Sequence, residues 1–103
     1  MWYHLRVGQW RRFLERIRRK RANVRFGELE ALLGRVGFTL ERQRGSHRVY
    51  THPEFPEAVV VVQPGKDGKA KGYQVKQVID LIDALGVTVE ENDASAPAED
   101  EDG

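Results

Sequence analysis

The chain has 103 residues, of which 40% are apolar, and a formal net charge of +1, so it has room for one globular domain with a modest core. It contains no cysteine, which excludes disulfides and cysteine-based metal sites. No apolar run approaches the roughly 18 residues of a membrane span, and Arg6, Arg11 and Arg12 interrupt the N-terminus too early for a signal peptide. We therefore expect a soluble, cytoplasmic protein.

The small net charge hides opposite charges at the two ends. Residues 1–22 contain eight Lys or Arg and one acidic residue, whereas residues 90–103 contain seven acidic residues and no base. Such separation favours a polyanionic partner or contact between the two ends, and solvated charge without a specific partner is the third interpretation.

The first predicted element is a basic amphipathic helix within residues 1–22. Four apolar residues recur at the helical spacing i, i+3, i+4 and i+7: Trp10, Phe13, Leu14 and Ile17. Such a stripe packs on the neighbouring domain or lies on a membrane or a nucleic acid, and packing is the more frequent case. A second helix is predicted over residues 26–36, with Gly37 at its C-terminal cap.

The hydrophobic period then changes from the helical value to two. A first strand is predicted to begin at Phe38, with Phe38, Leu40 and Arg42 on one buried face. After a turn at residues 43–45, alternation over residues 47–52 predicts a second strand, which places successive side chains on opposite faces.

The remaining elements are a strand and a helix separated by a glycine- and lysine-rich loop. A proline-containing loop at residues 53–56 precedes a strand of small and β-branched residues at residues 58–62. The loop covers residues 65–72, and the last helix covers residues 73–85 before Gly86 ends it. Short links between the strands predict an antiparallel sheet with helices on one face, an α+β two-layer sandwich.

The chain therefore divides into three parts. These are a basic N-terminal helix at residues 1–22, a folded domain at residues 23–88 and an acidic tail at residues 89–103. The Ala, Ser, Pro, Asp and Glu composition of the tail, without periodicity, predicts disorder.

Two sequence blocks resemble a known family. Residues 32–50 read Leu-Leu-x-x-x-Gly-Phe-x-Leu-x-Arg-Gln-Arg-Gly-Ser-His-Arg-Val-Tyr. Gln63-Pro64 follows, and residues 69–78 then read Lys-Ala-Lys-Gly-Tyr-Gln-Val-Lys-Gln-Val. In this order the blocks resemble the HicA family of toxin mRNA endonucleases from bacterial toxin–antitoxin pairs, over roughly residues 23–82. The resemblance implies a fold like a double-stranded-RNA-binding domain, mRNA as substrate and a HicB-type antitoxin as protein partner.

The sequence departs from this family at two positions. Gly72 stands where proline is frequent, which should loosen the entry to the last helix because glycine lacks a fixed φ. Arg48 stands where a second histidine is frequent, which leaves His47 as the only histidine of the motif.

Within this motif His47 is the predicted catalytic residue. Cleavage of RNA without a metal or cofactor needs a base for the ribose 2′-hydroxyl, an acid for the departing 5′-oxygen and a cation near the phosphate. An imidazole titrates near neutral pH, which suits either proton transfer. Arg44 is the better placed phosphate ligand, because alternation puts Arg48 on the opposite face from His47. Ser46 either contacts a phosphate or holds the turn.

Four lysines around the glycine-rich loop are predicted RNA contacts, since double-stranded RNA is recognised by its shape and backbone. They are Lys66, Lys69, Lys71 and Lys76. An ordinary charged loop is the alternative interpretation. Tyr73 and Gln74 are expected to anchor the last helix to the sheet, with stacking of Tyr73 on a base as the minor alternative.

Other chemistries receive less support. A metal site built from His47, His52 and either Glu54 or Glu57 matches no common ligand spacing, so no metal is predicted. His52 is expected at the surface, and a serine nucleophile at Ser46 lacks a neighbouring base on its own face. Two other functions remain open: a non-catalytic RNA-binding module of the same fold, and a protein-binding domain whose acidic tail contacts a basic partner.

Overall fold

Three helices and one three-stranded sheet make up the described residues, 9–87, of a computed structural model. The helices are α1 (Gln9–Arg19), α2 (Phe26–Arg35) and α3 (Gly72–Leu85). The strands are β1 (Thr39–Arg44), β2 (His47–His52) and β3 (Phe55–Val62). Short 3₁₀ helices occupy Arg21–Asn23 and Lys66–Gly68. The predicted acidic tail lies outside the described residues. Within them, the predicted order of helices and strands is confirmed.

The sheet is antiparallel in the order β1-β2-β3, so β2 is the central strand. Alternate side chains of β2 and β3 are buried against the helices: Tyr50, His52, Ala58, Val60 and Val62. Within residues 9–87 no helix covers the other face, where Val59 and Val61 are 54% and 44% exposed. This is the predicted α+β sandwich with one covered face and one open face.

The apolar stripe of α1 packs in the core, which is the interpretation that the sequence favoured. Trp10, Phe13 and Ile17 are buried in the same cluster as the stripes of α2 and α3. The guanidinium of Arg18 also makes two hydrogen bonds with the carboxylate of Asp83, at 2.7 and 3.0 Å. Apolar burial and this pair therefore fix α1 against the end of α3.

The first strand differs from its prediction. Phe38 is buried but precedes β1, and all six residues of β1 are exposed. A register shift pairs Leu40 with Tyr50 on the covered face and Arg42 with Val49 on the open face. The prediction that Phe38, Leu40 and Arg42 share one buried face is wrong, because a bulge adds a residue and reverses the alternation.

The third strand begins earlier than predicted. It includes Phe55 and Pro56, which the sequence assigned to a loop, and Glu57, which lay outside the predicted strand. Since β3 lies at the edge of the sheet, a proline costs it no ladder hydrogen bond on the solvent side.

His52 is buried rather than exposed, so its expected surface position is wrong. Its Nε2 lies 3.0 Å from the carbonyl oxygen of Val36, and its Nδ1 accepts a hydrogen bond of 3.1 Å from the amide of Glu54. The ring also contacts Phe38 and Phe55, at centroid distances of 5.0 and 4.8 Å. The histidine thus fills the space between the end of α2 and the end of β2.

Candidate functional site

His47 is the first residue of β2 and follows a two-residue turn. Gly45 in this turn has φ of +58°, a conformation that glycine adopts without a Cβ clash. The Nε2 of Gln43 donates to the carbonyl oxygen of Gly45 at 3.2 Å, which supports the turn. The His47 side chain is exposed at the start of the strand, so a large polyanion can reach it.

Two arginines of β1 share the open face with His47. Arg44 pairs directly with His47 across the hairpin, where the Cβ atoms of such a pair lie about 5 Å apart. Arg42 pairs with Val49, the next residue of β2 on the same face. Both arginines are exposed, and neither makes an ion pair within residues 9–87. Arg42 was not a predicted site residue, because only the bulge in β1 places it on the open face.

Ser46 connects the turn to the end of β3. Its hydroxyl donates a long hydrogen bond of 3.4 Å to the Oε1 of Gln63. The backbone N–H of Gln63 in turn donates to the Oε1 of Gln74 at 3.2 Å. Gln74 is buried and links α3 to the sheet as predicted, whereas Tyr73 is 60% exposed, so the prediction that it anchors the helix is wrong.

The four predicted RNA-binding lysines occupy different positions around α3. Lys71 precedes the helix and is half-buried against Gly65, near the end of β3. Lys69 lies beside Arg25, to which it forms an isolated β-bridge, and Lys66 is exposed in the second 3₁₀ helix. Lys76 lies further along α3, with its Nζ 2.7 Å from the carboxylate of Asp80. Lys66, Lys69 and Lys71 therefore precede α3, whereas Lys76 lies within it.

Arg48 points away from His47, as alternation predicted. Its Nη1 lies 2.7 and 2.8 Å from the two carboxylate oxygens of Glu30, and its guanidinium lies over the ring of Phe26 at 5.3 Å. The hydroxyl of Tyr50 donates to the same carboxylate at 2.7 Å. Burial and then this hydrogen bond raise the pKa of Tyr50, and the hydrogen bond to Glu30 raises the pKa of Arg48. This network ties β2 to α2 on the covered face.

The described residues offer no metal centre. Within residues 9–87 there is no group of three or more His, Cys, Asp or Glu side chains able to hold a metal ion. His47 and His52 lie at opposite ends of β2 and on opposite faces of the sheet. None of the helices between residues 9 and 87 is long and apolar enough to span a membrane.

The family model described as HicA toxin of bacterial toxin–antitoxin matches residues 26–87, which is more than half of the chain. The chain belongs to the HicA toxin family. A HicA toxin is part of a toxin–antitoxin system, which implies an antitoxin partner, and the α+β fold found here is the double-stranded-RNA-binding-like fold of the family. Comparison with curated proteins and with solved structures gives no match. The matched part of this HicA chain begins at α2, so α1 lies outside it.

Proposed function

We propose that the chain is an endoribonuclease toxin that cleaves mRNA without a metal, with His47 as a general acid or base. The observation that supports this most directly is the exposed imidazole of His47 beside Arg44 on the open face. An acid–base group and a cation on adjacent strands are two of the three groups that cleavage at a ribose phosphate requires, the third being a second proton-transfer group.

In this mechanism the ribose 2′-hydroxyl attacks the adjacent phosphate. A base takes the 2′-hydroxyl proton, the 2′-oxygen–phosphorus bond forms, and the phosphorus–5′-oxygen bond breaks. The 5′-oxygen leaves with a proton from an acid, which yields a 2′,3′-cyclic phosphate and a 5′-hydroxyl. His47 carries out one of these two transfers, since His52 is buried and hydrogen-bonded at both ring nitrogens.

Arg44 and Arg42 supply the positive charge. The phosphate gains charge as the attacking oxygen approaches, and cations already fixed near it stabilise that state. Both guanidiniums lie on the face of His47 and are free of carboxylate partners in the described part of the chain. We expect Arg44 to contribute more than Arg42, because Arg44 is the direct cross-strand neighbour of His47.

A HicB-type antitoxin would inhibit this toxin by covering the open face. Val59 and Val61 of β3 are exposed there, and Val49 of β2 lies between Val61 and Arg42 in the register. Exposed valines beside a charged site suit a protein partner that excludes RNA by covering both.

A non-catalytic RNA-binding module is the second candidate. One observation favours it: within residues 9–87, His47 has no hydrogen-bond partner that would orient its ring. Catalytic histidines are usually oriented by a second group. Cleavage and binding assays with His47→Ala separate the two candidates.

The test is cleavage of a mixed-sequence RNA in EDTA by the wild type and by His47→Ala. We expect the substitution to slow cleavage by about 10²–10⁴-fold, the usual size of one acid–base contribution. Thr51→Ala is the matched control, because Thr51 lies on the same face at the other end of β2. It should cut at the wild-type rate.

A 2′-deoxy version of the substrate adds a chemical control. It should not be cut by any variant, because the attacking hydroxyl is absent. If wild type and His47→Ala both bind RNA but neither cuts it, the chain is a binding module. If both cut equally fast, His47 is not the catalytic residue.

A further inference from the structure

An open groove runs between the C-terminal end of α1 and the first turn of α3. It has a volume of about 840 Å³, and basic side chains dominate its lining. The main lining residues are Arg18, Arg19, Lys20, Arg21, Tyr73 and Lys76. None of the acidic residues between residues 9 and 87 contributes to the lining.

The cations of this groove differ in their partners. Arg18 is paired with Asp83, whose pKa it lowers, and Lys76 is paired with Asp80. Arg19, Lys20 and Arg21 are exposed and form no ion pair with any residue between 9 and 87. Arg18 links α1 to α3 through Asp83, whereas Lys76 and Asp80 pair within α3. The other three cations leave a local excess of positive charge.

Tyr73 gives the groove an aromatic surface. It is the second residue of α3 and is 60% exposed, although its ring is large and apolar. An exposed aromatic ring among cations is the combination that binds single-stranded nucleic acid, where bases stack on the ring and cations contact the backbone.

The wall formed by α1 lies outside the part of the chain that matches the HicA family. That match begins at residue 26, whereas Arg18–Arg21 come from the end of α1 and the following 3₁₀ helix. Burial of Trp10, Phe13 and Ile17 fixes α1 in the core, so this wall is part of the folded structure. The groove is thus built jointly by the family domain and by the preceding helix.

The groove lies at the end of α3 that is linked through Gln63 to the turn before His47. Gln74 follows Tyr73 and accepts a hydrogen bond from the amide of Gln63, whose side chain contacts Ser46. A strand of RNA seated on Tyr73 could therefore continue past the end of β3 towards His47.

We propose that this groove binds a single-stranded segment of the RNA substrate, with a base stacked on Tyr73 and phosphates on Arg19, Lys20 and Arg21. The proposal rests on the proposed function, since it takes RNA as the substrate. It assigns to α1 the role of extending the bound length of RNA beyond the site of cleavage.

The experiment measures RNA affinity by fluorescence anisotropy in a His47→Ala background, where the probe is not consumed. The probe is a labelled single-stranded RNA of about twelve nucleotides, within the usual site size for such grooves. Tyr73→Ala should weaken binding roughly tenfold, and Tyr73→Phe, which keeps the ring, should bind as tightly as Tyr73.

A charge pair tests the cations. Arg19→Gln together with Arg21→Gln should flatten the slope of log affinity against log salt by about 1.4, because two contacts to a single strand are lost. The matched control is Arg11→Gln together with Arg12→Gln, which removes the same charge from α1 outside the groove lining. It should change the slope and the affinity much less.

Three results would overturn the groove proposal. In the first, Tyr73→Ala binds RNA as tightly as His47→Ala alone. In the second, the Arg19/Arg21 and Arg11/Arg12 double substitutions have equal effects on affinity. In the third, the groove substitutions tighten RNA binding. The last result would mean that the acidic residues 90–103 occupy the groove and compete with RNA.

The proposed function fails separately. If the wild type does not cut RNA but the groove variants lose affinity as expected, RNA binding by the groove is supported and catalysis by His47 is contradicted. If the wild type cuts RNA and the groove variants keep full affinity, the proposed cleavage of RNA is supported and RNA binding by the groove is contradicted.

Discussion

His47 and His52 are the two ends of the same strand, and their surroundings are opposite. His47 is exposed on the open face beside Arg44. His52 is only 7% exposed and is hydrogen-bonded at both ring nitrogens. Because their positions differ by five, an odd number, the period of two puts them on different faces of the sheet.

The residue type alone therefore does not identify a functional histidine. His52 serves the fold, since its Nε2 faces the carbonyl of Val36 at the end of α2 and its ring lies between Phe38 and Phe55. In the part of the chain that the structure describes, His47 has no such packing and its side chain is exposed. Substitutions at the two positions should therefore separate stability from activity.

The largest expected effect on stability comes from His52→Ala. It removes a buried ring and leaves the carbonyl of Val36 and the amide of Glu54 without their partner. We expect a loss of about 3 kcal/mol in the free energy of unfolding, or a Tm lower by about 15 °C. Thermal and urea denaturation measure it.

His47→Ala is the matched control for this prediction. An exposed side chain contributes little, so its Tm should stay within about 2 °C of the wild type. At a temperature where His52→Ala is still folded, that variant should cut RNA at nearly the wild-type rate. A normal Tm for His52→Ala would contradict the structural role assigned to His52.

The next effect concerns the contact between Gly37 and His52. Gly37 has φ of +106°, and a Cβ at this position would overlap the Nε2 of His52. Gly37→Ala should therefore destabilise the chain by about 2 kcal/mol, from backbone strain and from displacement of the ring.

A double-mutant cycle makes this prediction specific. If the ring is the obstacle, Gly37→Ala should cost about 1 kcal/mol less in a His52→Ala background than in the wild type. Gly34→Ala is a suitable control, because a Cβ at Gly34 meets nothing within 4 Å. Additive effects of Gly37→Ala and His52→Ala would show that only the backbone is strained.

The contrast between the two histidines was only partly predictable from the sequence. Period two placed His47 and Arg48 on opposite faces, and helical spacing predicted all three helices, because these patterns depend on local repeats alone. The burial of His52 depends on Val36 and Phe38 approaching from another element. No local sequence pattern predicts these contacts.

The open face shows the same limit. Regular alternation put Leu40 and Arg42 together, and the bulge between them separates them. A bulge is a property of the pairing between β1 and β2 and not of one strand's sequence. The exposure of Tyr73 was readable in principle, since it falls outside the stripe formed by Val75 and Val78.

The smallest effect is expected at Tyr50, between the two histidines on the covered face of β2. Its hydroxyl donates to Glu30, which also holds Arg48, so Tyr50→Phe should cost about 1 kcal/mol in the free energy of unfolding. Cleavage should be unchanged, because this network lies on the other side of the sheet from His47.

The pH dependence tests the same hydroxyl. The pKa of Tyr50 is raised by burial and by its hydrogen bond to Glu30, so the folded state keeps the proton after the unfolded chain has lost it. The stability that this proton confers is complete below about pH 10, the ordinary pKa of tyrosine, and is lost as the pH rises towards the raised value. Urea denaturation between pH 8 and 11 should show that decline in the wild type and a smaller one in Tyr50→Phe. Equal declines in the two proteins would mean that alkaline destabilisation arises elsewhere, and that the Glu30 network does not hold β2 against α2.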